Sequence, residues 1–257
     1  MKKLGFASLV GLTLILSLLW HLPASWIFSQ NWVRQQLPQN VQLSQIRGVW
    51  WQGQGHISIR PASRSQSVPI GTLSWQWHPS DILTGTVSLG LNLVNAEHQL
   101  HATLRQSAHS LKLQQLNGDF PIASLRPFLP ANLAALGQVQ GNIKFKALSI
   151  ALDMPLANPW PTQVQGSVQI RNLKAYGVVL QQLQILPSLN SRTLQLNIQT
   201  QSPGWRLQGN LDLLRSHRYQ ASFDLTSETR ESIPAWSKPF FKMQSPTKGT
   251  FNSSGRW

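Results

Sequence analysis

Beyond residue 40, apolar and polar side chains take turns one by one in segment after segment. Val87, Leu89, Leu91 and Leu93 alternate with Thr86, Ser88, Gly90 and Asn92. The same period runs through Leu100, Ala102 and Leu104; Val139, Gly141, Ile143 and Phe145; Leu148, Ile150 and Leu152; and Val164, Gly166, Val168 and Ile170. It returns in Leu194, Leu196 and Ile198; Trp205, Leu207, Gly209 and Leu211; and Tyr219, Ala221, Phe223 and Leu225. Successive side chains of a strand point to opposite faces, so this period gives a sheet with one dry face and one wet face. A helix needs apolar residues three and four apart. No long segment beyond residue 40 offers that spacing; the candidates are short, at 121–128 and 132–135, the latter stopped by Gly137.

A loose repeat runs inside the alternation. Glycine, a small or amide residue and an apolar residue begin GTLSW at Gly71, GTVSL at Gly85, GNIKF at Gly141, GSVQI at Gly166, GNLDL at Gly209 and, partly, GTFNS at Gly249. The spacing is irregular, which excludes a fixed-period solenoid. A glycine entering a strand permits a bulge or bend, and repeated bends curl an antiparallel sheet; ordinary hairpin punctuation gives the same residues. So many strands exceed what a flat open sheet tolerates, so the sheet curls, splits or closes. Linkers are scarce: PASRSQSVP at 61–69 reads as a polar hairpin loop, PLANPWP at 155–161 as a rigid turn, and 233–246 as a poorly structured approach to the C-terminus.

The N-terminus breaks the pattern. Lys2 and Lys3 precede an apolar run over 4–20, with Leu4, Leu14, Leu18 and Trp20 as its anchoring side chains. The run sits at the low end of the roughly 17 to 25 residues of a membrane-spanning helix, and a secretory signal peptide shares this layout. Signal peptidase wants small residues at the first and third upstream positions. A cut after Ala24 puts Leu22 at the third, and a cut after Ser25 puts Pro23 there, so the run reads as an uncleaved anchor over 4–25. Trp20, Trp26 and Trp32 suit a membrane interface, and the lysine pair places residues 1–3 in the cytoplasm. Residues 26–257 are then exported, to the periplasm in a bacterium. The expected architecture is mainly β: one N-terminal transmembrane helix, then a curled, largely antiparallel, groove-like sheet with few short helices.

Chemistry is thinly supplied. Asp, Glu, Lys and Arg make up 12% of the chain against 28 glutamines, so uncharged polar groups carry the wet surface. The net charge is +14, and no cysteine is present, which removes disulfides, thiolate metal sites and a thiol nucleophile together. The eight acids are Asp81, Glu97, Asp119, Asp153, Asp212, Asp224, Glu228 and Glu231, and none shares a catalytic or metal-binding spacing with a histidine. His98 and His101 are three apart, which in a strand sends the rings to opposite faces; both read as solvated polar groups. No nucleophile elbow, phosphate-binding loop or dinucleotide fingerprint occurs. The expectation is a protein that is not an enzyme and takes no cofactor or metal. The cations are scattered without a dense run and lie beyond the membrane, so nucleic acid is not an expected partner.

Two tryptophan clusters stand out: Trp50 and Trp51 between Gly48 and Gly53, and Trp75 and Trp77 on one face of a strand. Such indoles cap a sheet core, stack on carbohydrate or hold an acyl chain, so these four are the candidate partner or ligand contacts. At these residues the chain resembles a known family. The anchor at 4–20, GVWWQG at 48–53, GTLSWQWHPSDILTG at 71–85, LPANLAALGQVQGNIKF at 129–145 and GSVQI at 166–170 are similar to protein N of the bacterial type II secretion system.

The resemblance implies a single-pass inner-membrane protein with a periplasmic domain, whose partners are other secretion subunits of the inner membrane and periplasm. The function it implies is that of a non-enzymatic component of the apparatus. The family is also similar to AsmA-like lipid-handling proteins. The alternative reading is therefore a periplasmic lipid- or glycan-binding β-groove, with membrane lipid and acyl chains as partners.

Overall fold

The computed structural model describes residues 11–15, 17–36, 38, 40–60, 66–124, 139–154, 160–175, 178–190 and 192–256. Among them, fourteen strands form one sheet. They are β1 (Val41–Val49), β2 (Gln52–Ile59), β3 (Val68–Trp77), β4 (Val87–Val94), β5 (Gln99–Gln106), β6 (Ser110–Pro121) and β7 (Gln140–Asp153). The second half comprises β8 (Pro161–Ala175), β9 (Val178–Asn190), β10 (Thr193–Gln201), β11 (Trp205–Leu214), β12 (Arg218–Ser227), β13 (Lys242–Ser245) and β14 (Lys248–Arg256). Each strand pairs antiparallel with its neighbour in the chain, except that β14 inserts between β12 and β13. β1 and β13 are the two edges, so the sheet is open.

The alternation seen in the sequence becomes two continuous faces because the strands pair in phase. One row runs Phe145, Val168, Ile185, Ile198, Gly209, Phe223 and Phe251 across seven strands. The adjacent row on the other face runs Lys144, Gln169, Gln184, Gln199, Gln208, Asp224 and Thr250. In the first half, Trp77, Leu89, Leu104, Leu113, Ile150 and Val164 form the matching apolar row. Cross-strand neighbours of like character are the stabilising unit of a sheet, and the glutamine ladder explains why so few charges suffice on the wet side.

The phase is held across long strands by bulges. The stretches 139–145 and 148–152 belong to one strand, β7, in which Ala147 takes a left-handed backbone (φ 47) and the register shifts between Lys146 and Ser149. One extra residue there moves the apolar positions from odd to even numbers while keeping them on one face. Gly166 of the facing strand has φ +102, and a Cβ on it would lie 2.5 Å from the Ala147 carbonyl oxygen, so only glycine fits beside this bulge. Gln45, Gln115 and Asn172 are also left-handed within strands, Gln45 and Gln115 at further register shifts. Gly71, Gly118 and Gly141 mark shifts of the same kind.

No second sheet and no long helix lies over the apolar face among the described residues, and most of its side chains are only half-buried. Both ends are covered. At the first, the short helix Ala24–Ser29 packs Phe28 edge-on against Trp75 at 5.3 Å, with Ala24 fully buried. At the other, Trp236 lies 5.9 Å from Trp205, and Phe241 lies 5.8 Å from Phe251. The 233–246 region is therefore ordered: it holds the 3-10 turn Ala235–Ser237, the strand β13 and the buried Ser237 and Phe241, and Phe241 lies against Gly249, the cross-strand partner of Leu225, which is 1% exposed. Aromatic packing, invisible to a search for periodicity, orders it.

Helical backbone also occupies 11–15, 17–20 and Asn31–Gln36. Among the described residues no helix is long and apolar enough to cross a membrane. Leu4 lies outside the described residues, as do 125–138, which contain most of the short-helix candidates, and 61–65 and 155–159 of the two loops. His98 differs from expectation. It is buried, 4.8 Å from the Phe120 ring, with neither ring nitrogen hydrogen-bonded, because it enters the β4–β5 turn on the dry side; His101 is exposed as expected.

Candidate functional site

The four candidate tryptophans converge on the end of the N-terminal helix. Pro23 cannot continue a helix, so the chain turns there, and its last carbonyls need donors from elsewhere. The β1–β2 turn supplies them. The Trp50 indole N–H donates to the Leu19 carbonyl at 2.8 Å, and the Trp51 indole N–H to that of Trp20 at 3.0 Å. The Trp50 backbone N–H donates to the Leu22 carbonyl at 3.2 Å, and Pro23 bridges to Val49. The carbonyls of Leu19, Trp20 and Leu22, at and just beyond the helix end, thereby accept from two adjacent residues of the β1–β2 turn.

Ring packing reinforces these bonds. Trp20 and Trp51 sit 5.2 Å apart, and Trp50 and Trp77 4.6 Å apart. The Trp75 indole donates to the Trp50 carbonyl at 3.2 Å, and the Trp77 backbone N–H donates to the Trp51 carbonyl at 2.6 Å. Trp75 is buried, while Trp50, Trp51 and Trp77 are half-buried, and the Trp77 indole nitrogen is buried without a partner. The turn after Trp77 is a 3-10 helix, Pro79–Thr84, closed by Thr84 and Thr86, whose hydroxyls donate to the Asp81 carbonyl at 2.7 and 3.3 Å. That locates the Trp75, Pro79, Leu83 and Gly85 motif: it turns the chain from β3 into β4 beside the knot.

The sequence singles these residues out as candidate partner or ligand contacts; the structure brings them together in a joint between helix and sheet. The available signal was Pro23, which ends the helix and leaves its carbonyls in need of donors.

On the helix itself, Leu12, Leu14, Ile15, Leu18, Leu19 and Trp20 are exposed, between 44% and 64%. At 100° per residue these six positions point all round the axis, unlike the single stripe of a helix resting on a soluble core. Beyond Pro23, Trp26 and Trp32 are exposed too, at 54% and 64%.

The wet face offers a shallow cleft of about 720 Å³ over β1–β5, lined by Arg47, Gln54, Ser74, Gln76, Asn92 and His101 among others. This lining of amides, hydroxyls and the imidazoles of His78 and His101 can bind a polar group by hydrogen bonds. Among the described residues no three His, Cys, Asp or Glu side chains come together as metal ligands, and one ion pair is formed, Lys144 with Asp119 at 3.7 Å.

An open, all-antiparallel sheet joined through tryptophans to an apolar helix defines the architectural class of this protein. Residues 39–234 match the family model of type II secretion system protein N, and the chain belongs to that family, a component of the type II secretion apparatus. No curated protein and no solved structure matches the chain.

Proposed function

We propose that this chain is a non-enzymatic, single-pass inner-membrane component of the type II secretion apparatus. Its sheet is displayed in the periplasm, where it contacts other subunits. The observation that carries the reading, beside the family match, is the joint. An all-round apolar helix exposed to solvent is costly by about 25 cal/mol per Å² of apolar surface, and a bilayer removes that cost. The helix is bound to the sheet by three hydrogen bonds, so whatever holds the helix holds the sheet. Lys2 and Lys3 set the N-terminus in the cytoplasm. Deleting the chain should lower export of type II cargo and restoring it should recover export; unchanged export on deletion refutes the reading.

A second reading draws on a different observation, the uncovered apolar face. Between the two aromatic covers, Leu91, Leu104, Ile150, Ile185 and Ile198 remain half-buried with no layer over them among the described residues. Acyl chains suit such a surface in shape and polarity, and a lipid-handling groove is compatible with membership of a secretion apparatus.

A further inference from the structure

Following the strands from turn to turn shows which residues share a sheet margin. Arg192 lies in the β9–β10 turn, Arg215 follows β11, Arg218 opens β12 and Arg256 closes β14. The Arg215 N–H donates to the Arg192 carbonyl at 3.2 Å, Leu214 pairs with Arg218, and Arg218 pairs directly with Arg256. Four arginines thus occupy one corner, spread over three strand spacings, or about 15 Å. All four are exposed, and none forms an ion pair among the described residues. Asp212 of β11 pairs with Gln220, two residues along from the Leu214–Arg218 pair, and forms no ion pair with an arginine among the described residues.

Like charges directly opposite one another across a sheet are destabilising, so Arg218 beside Arg256 works against the fold of the isolated chain. An anion bridging the two would reverse the sign of that contribution. The corner carries four arginines and no lysine, with His217 between Arg215 and Arg218, while lysines such as Lys112, Lys144, Lys146 and Lys174 lie on β6–β8. Guanidinium forks match carboxylates and phosphates alike in pairs, so the occupant is an anion, and the position of the corner decides which kind. The corner also presents no large exposed apolar side chain among the described residues, unlike Trp26 and Trp32 beside the anchor. Along the sheet it stands nine to twelve strand spacings from β1, on the order of 40–60 Å.

From this geometry we infer that the arginine corner, Arg192, Arg215, Arg218 and Arg256, docks an acidic segment, rich in Asp and Glu, of a partner protein. The inference deepens the proposed function and rests on it for the identity of the partner as a secretion subunit.

The test uses the full chain in nanodiscs and a fluorescent twelve-residue polyglutamate peptide. Replacing two arginines, Arg218→Gln with Arg256→Gln, should weaken peptide binding about tenfold, as loss of charge complementarity does. An equal removal of charge elsewhere, Lys146→Gln with Lys174→Gln, should leave it within about twofold. Equal losses in the two variants would reduce the effect to net charge and overturn the proposal. Phosphatidylglycerol vesicles form the second arm. Vesicle binding that depends on the same arginines would assign the corner to a lipid surface and overturn it too.

In cells, Arg218→Glu with Arg256→Glu should abolish cargo export with the chain still present in the membrane. Export lost on deletion but normal in this variant sinks the corner and spares the secretion reading. Unchanged export on deletion sinks the secretion reading, while the peptide measurement still decides the corner.

Discussion

Replacing Trp50 and Trp51 together by phenylalanine removes two indole N–H donors and keeps two aromatic rings. The lost bonds are those to the Leu19 and Trp20 carbonyls, at 2.8 and 3.0 Å. Each is worth about 0.5–1.5 kcal/mol net, so the pair contributes roughly 1–3 kcal/mol to holding the helix end on the sheet. That corresponds to a factor of about 5 to 150 in the closed population of the joint. Much of the ring packing, Trp20 on Trp51 and Trp50 on Trp77, is retained by phenylalanine, as is the backbone bond from Trp50 to Leu22. The joint should therefore loosen without the sheet unfolding.

The chain has no cysteine, which makes the assay direct. Spin labels on Leu18→Cys in the helix and Gln54→Cys in β2, both exposed positions, report the distance between helix and sheet by pulsed electron resonance in nanodiscs. The parent chain should give one narrow distribution and the double phenylalanine variant a broad one, with unchanged circular dichroism. Equally broad distributions in the two would show that the indole bonds do not fix the helix, and the reasoning from carbonyl capping would fall.

Other consequences are simpler to test. Leu225→Ala, at the most buried leucine, should cost about 2–5 kcal/mol, read from denaturant unfolding of the chain. His98→Phe should stabilise by roughly 1 kcal/mol, because two buried nitrogens without partners are exchanged for carbon against Phe120; a fall in melting temperature would contradict this. Gly166→Val should destabilise by more than about 2 kcal/mol, since a side chain there meets the Ala147 carbonyl and a strained backbone. If acyl chains lie on the dry face, native mass spectrometry should find co-purified lipid on the parent chain and none on Ile198→Asp.

Much of the sheet was legible because β4, β5, β10, β11 and β12, and β8 as far as Ile170, keep the alternation, and a period of two admits one element type. β1 and β2 escaped because Gln45 sits left-handed within one and glycines interrupt the other, which hides the period. β6 escaped at Gln115, where a bulge moves the apolar residues from Leu111 and Leu113 to Leu116. Non-glycine residues in such backbone positions carry no composition signal; pairing across strands imposes the conformation.

The tryptophans were conspicuous as residue types, yet their role depends on a contact between positions 31 residues apart in the chain. The arginine corner is likewise a product of topology: its first and last members are 64 residues apart and are gathered by hairpin turns.

The decisive measurement concerns the proposed anchor and what it would carry. Membranes bearing the chain with a tag after Trp257 are washed in alkaline carbonate, and intact cells and cells with a permeabilised outer membrane are treated with protease. Retention of the uncut chain in the membrane, with the tag lost to protease only once the outer membrane is opened, is the predicted result. A shortened chain released by the wash, or a tag protected until the inner membrane is breached, would contradict the account.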